Sequence, residues 1–88
     1  MTNYEKLQKE AQKTKELVTK AVILMPEDAL ELSDMKDIKK LAELVDEKVK
    51  MTEGRTEDRR EASARINLQY VKHHNQRLLE IIESYNYK

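Results

Sequence analysis

The sequence contains no cysteine, no tryptophan and no phenylalanine, and it has only one glycine and one proline. Without cysteine no disulfide reinforces the fold, and the core must be built from aliphatic side chains, methionine, alanine and tyrosine. A chain of 88 residues hides only about two-thirds of its unfolded surface on folding. We therefore expect one small domain whose burial is completed by a partner subunit.

The chain also lacks an excess of charge, because 17 basic residues balance 17 acidic ones. A surface without a large field of one sign disfavours a dedicated DNA-binding protein, so nucleic acid is not an expected partner. No apolar run reaches the ~18 residues that a membrane span needs. Met1 leads into polar residues rather than an apolar signal segment. These features predict a soluble, cytoplasmic protein with no membrane contact.

The single proline, Pro26, and the single glycine, Gly54, divide the chain into three pieces with helical patterns and leave almost no room for strands. Residues three and four positions apart form a narrow seam in the first piece: Tyr4, Leu7, Ala11, Thr14, Val18, Ala21 and Met25. The predicted helices span about 2–25, 34–51 and 57–84, with a connector at 26–33 and a turn at 52–56.

Turn-forming residues set the ends of these helices. Ser33 and Thr56 are suited to cap the second and third helices, and Gly54 is expected to supply a left-handed backbone between them. Pro26 can open one further helical turn within the connector. The predicted fold is all-α, a single domain over 1–88, with an N-terminal helix followed by a long antiparallel helical hairpin and assembled as a homo-oligomer.

The third helix contains an acid-free stretch from Ala62 to Leu79. Arg65 and Lys72 lie seven residues apart on one face with two glutamines, which makes a ladder of donors suited to phosphate. The alternative is a solvated face whose acids lie on the neighbouring helix, for example Asp46 or Glu47.

Polar residues also interrupt the stripes of this helix that should face the core, namely Asn67, Gln69, Lys72, His73 and Asn75. Buried polar groups need hydrogen-bond partners, so we expect a partner chain or a ligand to supply them.

Two histidines, His73 and His74, are adjacent in this stretch. They point about 100° apart on a helix and cannot chelate one ion together. We predict no metal and no cofactor, with one histidine near a subunit contact. No nucleophile with a base and no buried carboxylate pair can be assembled from the pattern, so an enzyme is not expected.

Tyr4 begins the seam of the first helix. It either staples that helix to its neighbour or offers its ring as a platform for a planar base, with Lys20 or Lys6 as the phosphate partner. The pattern leaves both interpretations open.

The second half of the chain carries the segment DIKKLAELVDEKV at 37–49, followed by Arg59, Ala62, Arg65, Leu68, Gln69, Arg77 and Leu79. In order and spacing, this pattern resembles the helical hairpin of small phage proteins that sequester cyclic nucleotides, the anti-CBASS sponges. The resemblance covers a little over half of the chain. In addition, Tyr4 and Lys20 stand where the sponge has a base-stacking tyrosine and a phosphate-binding lysine.

The resemblance implies an all-α homo-oligomer, a hexamer in that family, that holds cyclic di- and trinucleotides at subunit interfaces and does no chemistry on them. It implies that Tyr4 stacks a base, that Lys20 meets a phosphate, and that Arg59 with its third-helix neighbours lines a second, three-fold pocket. The chain departs from the family pattern at Arg60 and Glu61, where a large apolar residue is common, and at 70–73, where glycine and methionine are common.

Taken together, the candidate ligand-binding residues are Tyr4, Lys20, Arg59, Arg60, Arg65, Lys72 and His73. The implied function is a phage immune-evasion protein that sequesters the cyclic di- or trinucleotide messengers of bacterial CBASS defence. The alternative is a small helical interaction protein that docks an exposed seam on a host or phage protein. The sponge is expected to be a hexamer, whereas the interaction protein is expected to be a monomer or a dimer.

Overall fold

The computed structural model describes residues 1–24 and 33–86. It has three helices, α1 (Asn3–Leu24), α2 (Ser33–Glu53) and α3 (Glu57–Asn86), and no strand within the described ranges. The predicted all-helical fold class is confirmed. Residues 26–32 of the predicted connector, with its possible turn at Pro26, lie outside the described residues, and its last residue, Ser33, begins α2. None of the helices that the structure describes is long and apolar enough to cross a membrane.

Two sets of hydrogen bonds fix the start of α1. The hydroxyl of Thr2 accepts the N–H of Glu5 at 3.1 Å, and the Glu5 carboxylate accepts the backbone N–H of Thr2 at 3.4 Å, which makes a capping box. The same carboxylate also accepts the Thr2 hydroxyl at 3.0 Å. These bonds from Thr2 lower the pKa of Glu5. The carboxylate of Glu61, on α3, accepts the N–H groups of Asn3 at 2.8 Å and Tyr4 at 3.0 Å. The first turn of α1 is therefore tied directly to α3.

The apolar core consists of two clusters of buried side chains. The first joins Leu17 and Ala21 of α1 to the start of α2 and the end of α3, and its members are Leu17, Ala21, Met35, Ile38, Leu78, Ile81 and Ile82. The second contains Leu7, Val45, Ala64 and Val71. Full burial of a side chain such as Ile38 stabilises a fold by about 1.5–3 kcal/mol. Each cluster draws on all three helices, so the core holds them as one unit.

A buried polar layer joins α2 to α3. Asn67 is 4% exposed, and its amide nitrogen donates to the hydroxyl of Thr52 at 2.8 Å and to that of Ser63 at 3.2 Å. The same nitrogen lies 3.4 Å from the carbonyl oxygen of Lys48. These contacts supply the partners that a buried amide requires.

A second buried polar layer joins α1 to α3. Asn75 is 2% exposed and donates to the carbonyl oxygen and to the carboxylate of Glu10, each at 2.9 Å. Its side-chain oxygen accepts the hydroxyl of Thr14, which is 3% exposed. The polar interruption of α3 is thus satisfied from α1 and α2 of the same chain.

This arrangement corrects the expectation that a partner chain or a ligand satisfies the polar residues of α3. Asn67 and Asn75 are buried, but their partners lie within the chain. Gln69, Lys72 and His73 are exposed and need no buried partner. The sequence pattern places these residues near the core stripes, but it does not show that side chains of α1 and α2 complement the two asparagines.

The turn between α2 and α3 also differs from its prediction, because Gly54 does not adopt a positive φ. Its N–H donates to the carbonyl of Lys50 at 3.0 Å, and the N–H of Arg55 donates to the carbonyl of Thr52 at 3.1 Å. The end of α2 therefore closes with helical bonds, and no left-handed residue is needed. The carbonyl of Thr56 accepts the N–H of Arg60 at 2.9 Å, which opens α3.

Candidate ligand-binding site

A cleft of 360 Å³ lies where the end of α2 meets the start of α3. We call it the Arg59 cleft, and its lining residues are Met51, Arg55, Arg59, Ala62, Ser63, Ile66 and Asn67. Arg55, Arg59, Ser63 and Asn67 recur every four residues, so they follow one side of α3 and the turn before it. The cleft thus has a row of hydrogen-bonding side chains beside an apolar wall.

Positive charge dominates the Arg59 cleft. Both Arg55 and Arg59 are exposed, and none of the described residues that line the cleft is acidic. Neither arginine forms an ion pair with any residue in the described ranges. Guanidinium groups bind phosphate and carboxylate through paired hydrogen bonds. The cleft is therefore suited to an anionic ligand.

The lining of the cleft also includes two large apolar side chains. Met51 is 48% exposed and Ile66 is 56% exposed, which is unusual for large apolar side chains next to a buried layer. Such side chains can cover a planar or apolar part of a ligand while the arginines hold its charge. The cleft can bind and orient a ligand, and its residues include no general base or thiol nucleophile.

The structure brings Tyr4 and Arg60 together. The guanidinium carbon of Arg60 lies 5.3 Å from the centroid of the Tyr4 ring, and the Nε atom of Arg60 is buried without a hydrogen-bond partner. The half-buried Tyr4 ring also packs against the Leu7 cluster. Tyr4 therefore staples α1 to α3, and a cation already stacks on its ring.

Lys20 lies far from this pair. It is exposed near the end of α1, beside Glu16 and Ile23. Tyr4 and Lys20 are sixteen residues apart on one helix, which corresponds to about 24 Å at a rise of about 1.5 Å per residue. Within one chain these two residues cannot contact the same small ligand.

The remaining predicted residues lie on the exposed side of α3. Arg65 and Lys72 are exposed, and neither pairs with an acid in the part of the chain that the structure describes. Asp46, one of the acids suggested for them, pairs with Lys50 at 2.9 Å. The ladder of donors predicted for this face is therefore open to solvent.

The histidine pair lies next to α2. The ring centroids of His73 and His74 are 6.2 Å apart, and the Lys48 ammonium lies 4.6 Å from the centroid of the Tyr70 ring. Burial lowers the pKa of His74, and the charges of His73 and Lys48 lower it further. Among the described residues no three His, Asp or Glu side chains cluster as metal ligands do.

Two residues of the site were not predicted from the sequence. Arg55 lies four residues before Arg59, and that spacing was the available signal. Glu61 holds the backbone of Tyr4 from 57 residues away, and no local pattern indicates that contact. Comparisons of the chain with protein-family models, with curated proteins and with solved structures give no match in any of the three.

Proposed function

We propose that this chain binds and sequesters cyclic di- and trinucleotide messengers without reacting with them, as the phage anti-CBASS sponges do in the cytoplasm of the host. In this proposal α2 and α3 form an antiparallel hairpin that carries the Arg59 cleft, and several copies of the chain assemble. The observation that carries the proposal is the cleft lined by Arg55 and Arg59 together with Met51 and Ile66 and by no acidic residue among those described. Phosphates would meet the arginines, and a base would cover the apolar wall.

The size of the cleft supports assembly. Ligand pockets commonly enclose about 300–1,000 Å³, and a cleft of 360 Å³ lies near the lower end of that range, so a ligand with two nucleotides would extend beyond it. A second copy of the chain would cover the rest of the ligand. The distance between Tyr4 and Lys20 leads to the same requirement, since one ligand could touch both only if they came from different copies.

The pair formed by Tyr4 and Arg60 offers a second contact of the same chemistry. The Arg60 guanidinium lies 5.3 Å from the ring centroid, so a base would replace it on the ring and the released guanidinium would meet a phosphate. Arg60 is one of the positions that depart from the sponge pattern. In this chain it supplies a cation next to the stacking residue instead of an apolar side chain.

Thermal-shift and calorimetric titration test the proposal. The protein is titrated with a cyclic dinucleotide, a cyclic trinucleotide and the linear dinucleotide, and the cyclic ligands should give heat and raise the melting temperature through preferential binding to the folded state. Arg59→Gln should weaken binding at least roughly tenfold, because a charge-assisted bond is worth about 1.5–3 kcal/mol. Lys39→Gln, an exposed position on α2, is the matched control.

The absence of heat and of a melting shift with both cyclic ligands would refute the sponge proposal. Equal binding by Arg59→Gln and by the unchanged chain would remove the cleft from the site.

The second candidate function is an interaction protein, and the exposed end of α1 favours it. Val22, Ile23 and Leu24 are 53%, 76% and 42% exposed, so three consecutive apolar side chains face outward. Contiguous exposed apolar residues mark surfaces that contact other proteins. This function predicts a chain that binds no cyclic nucleotide and loses capture of its protein partner when Ile23 is replaced by Asp.

A further inference from the structure

A second groove, of 340 Å³, runs between α1 and α2. Its apolar lining consists of small and β-branched side chains, namely Ala11, Val18, Ala42, Val45 and Val49. α1 and α2 contact each other less extensively than either contacts α3, so this side of the bundle is the least closed. We propose that the α1–α2 groove is the surface on which a second copy of this chain docks.

Apolar residues continue along both helices beyond the groove itself. On α1, Ala11 and Val18 are followed by Val22, which is 53% exposed. On α2, Ala42 and Val49 have the same seven-residue spacing. Spacings of three, four and seven residues are typical of a seam that packs against other helices. Within one chain Ala11, Val18 and Val49 are only partly buried against the two core clusters, so a part of each side chain stays exposed.

Two opposite charges line the groove, one on each wall. Ala11 and Val49 both pack against the Leu7 cluster, whereas Val18 and Leu41 both pack against the other core cluster. Lys15 lies midway between Ala11 and Val18 on α1, and the groove residue Asp46 lies between Leu41 and Val49 on α2. Lys15 and Asp46 therefore lie on opposite walls of the groove.

The position of these two charges selects one dimer geometry. If the two-fold axis runs along the groove, α1 of each copy lies over α2 of the other, and Lys15 meets Asp46 of the partner subunit twice. If the axis crosses the groove, Lys15 meets Lys15 of the partner subunit, and like charges repel. The first arrangement makes a four-helix bundle with two reciprocal ion pairs and an apolar centre.

The pair of Asp46 with Lys50 does not prevent this contact. The pair spans one helical turn at 2.9 Å, and both side chains are more than half exposed, at 61% and 73%. Exposed pairs of this kind contribute only about 0.3–0.5 kcal/mol. The carboxylate can therefore exchange or share that partner with a lysine of another copy.

The area of this face is sufficient for a dimer. α1 has 22 residues and α2 has 21, so each is about 30 Å long. Each helix is about 10 Å wide, so the face formed by the two helices covers roughly 600 Å² per copy. Two copies would bury roughly 1,200 Å² in total, which is the lower limit for a specific interface. The inference rests on the self-association in the proposed function and does not depend on nucleotide binding.

Light scattering of charge-reversal variants tests the groove. Lys15→Glu and Asp46→Lys each place like charges at both symmetry-related contacts, so each should raise the dissociation constant of this contact roughly tenfold or more and lower the measured mass. The double variant should restore both. Lys13→Glu, on an exposed part of α1 that lines no described groove, should leave the mass unchanged.

Circular dichroism of each variant separates loss of assembly from loss of folding, and recovery in the double variant does so independently. A monomeric unchanged chain would overturn the proposal and leave the groove to a different protein. An oligomer whose mass survives both single reversals, or a double variant that stays dissociated, would also overturn it. Titration with a cyclic dinucleotide in parallel tests the proposed function separately. If the chain binds the nucleotide but does not associate through the groove, only the groove proposal is refuted.

Discussion

Replacing Asn75 with alanine removes the centre of the polar layer between α1 and α3. The side chain is 2% exposed and makes two bonds of 2.9 Å to Glu10 besides the one that it accepts from Thr14. Each neutral bond contributes about 0.5–1.5 kcal/mol, and a bond to a charged group about 1.5–3 kcal/mol. The half-buried Glu10 carboxylate can regain water, so the expected loss is about 2–4 kcal/mol.

This loss is large for a chain of 88 residues, whose total stability is about 4–13 kcal/mol at about 0.05–0.15 kcal/mol per residue. With a urea m-value of about 1 kcal/mol/M, the midpoint of unfolding should fall by about 2–4 M or become unmeasurable in water. The experiment compares urea unfolding of Asn75→Ala and Gln76→Ala at one protein concentration, because assembly also contributes to apparent stability. Gln76 is exposed, so its variant should stay within about 0.5 kcal/mol of the unchanged chain.

A double-mutant cycle identifies the partner. Thr14→Val combined with Asn75→Ala should be less destabilising than the sum of the two single changes, with a coupling of about 1 kcal/mol. An Asn75→Ala variant as stable as Gln76→Ala would refute the claim that α3 is satisfied from within the chain. Additive effects of the two changes would show that Thr14 and Asn75 do not act together.

Three further changes follow from the structure. Glu61→Ala should destabilise the fold by about 1 kcal/mol and speed amide exchange at Asn3 and Tyr4, because their N–H groups lose the Glu61 carboxylate; unchanged exchange there would contradict the contact. Gly54→Ala should stabilise the fold by about 0.4–1 kcal/mol, because φ is not positive and the nearest heavy atom to a new Cβ is 3.4 Å away; a lower melting temperature would show that the turn needs glycine. Burial lowers the pKa of His74 in the folded chain below the ordinary 6.5. As the pH falls below 6.5, the unfolded chain therefore binds a proton before the folded chain does, and the free energy of unfolding declines until the pH has passed the lower folded pKa. His74→Gln should therefore melt with a weaker pH dependence between about pH 7 and pH 5, and an unchanged dependence would exclude His74 as its source.

The helices could be predicted from the sequence because their signals are local. The seam of α1, with Leu7, Thr14 and Ala21 at constant spacing, is buried as expected. The capping box of Thr2 and Glu5 was not predicted, although its signal is local too, since a threonine three residues before a glutamate has that chemistry. These features depend on residues within one or two turns of each other.

The polar layers could not be predicted for the opposite reason. Asn75 is recognisable as a polar residue on a core stripe, but its partner Glu10 is 65 residues away, and only the packing of α1 on α3 brings them together. The sequence therefore indicated an unsatisfied group and led to the expectation of an external partner.

In the candidate site, too, local features could be predicted from the sequence and long-range contacts could not. The charge of Arg59 was visible in the sequence, but Glu57, Asp58 and Glu61 lie within two residues of it, so the sequence did not show that no acid lines the cleft. Two other features could be seen only in the tertiary structure. They are the position of Met51, from the other side of the turn, in the cleft and the stacking of Arg60 on Tyr4.

The central claim is that the chain holds cyclic nucleotides and leaves them intact. The most direct measurement incubates the protein with an equimolar cyclic dinucleotide, removes unbound ligand by gel filtration, heats the protein fraction and analyses the released nucleotide by chromatography. We predict that the nucleotide travels with the protein and is recovered as the unchanged cyclic species. A protein fraction without nucleotide, or recovery of a linear product, would contradict the account.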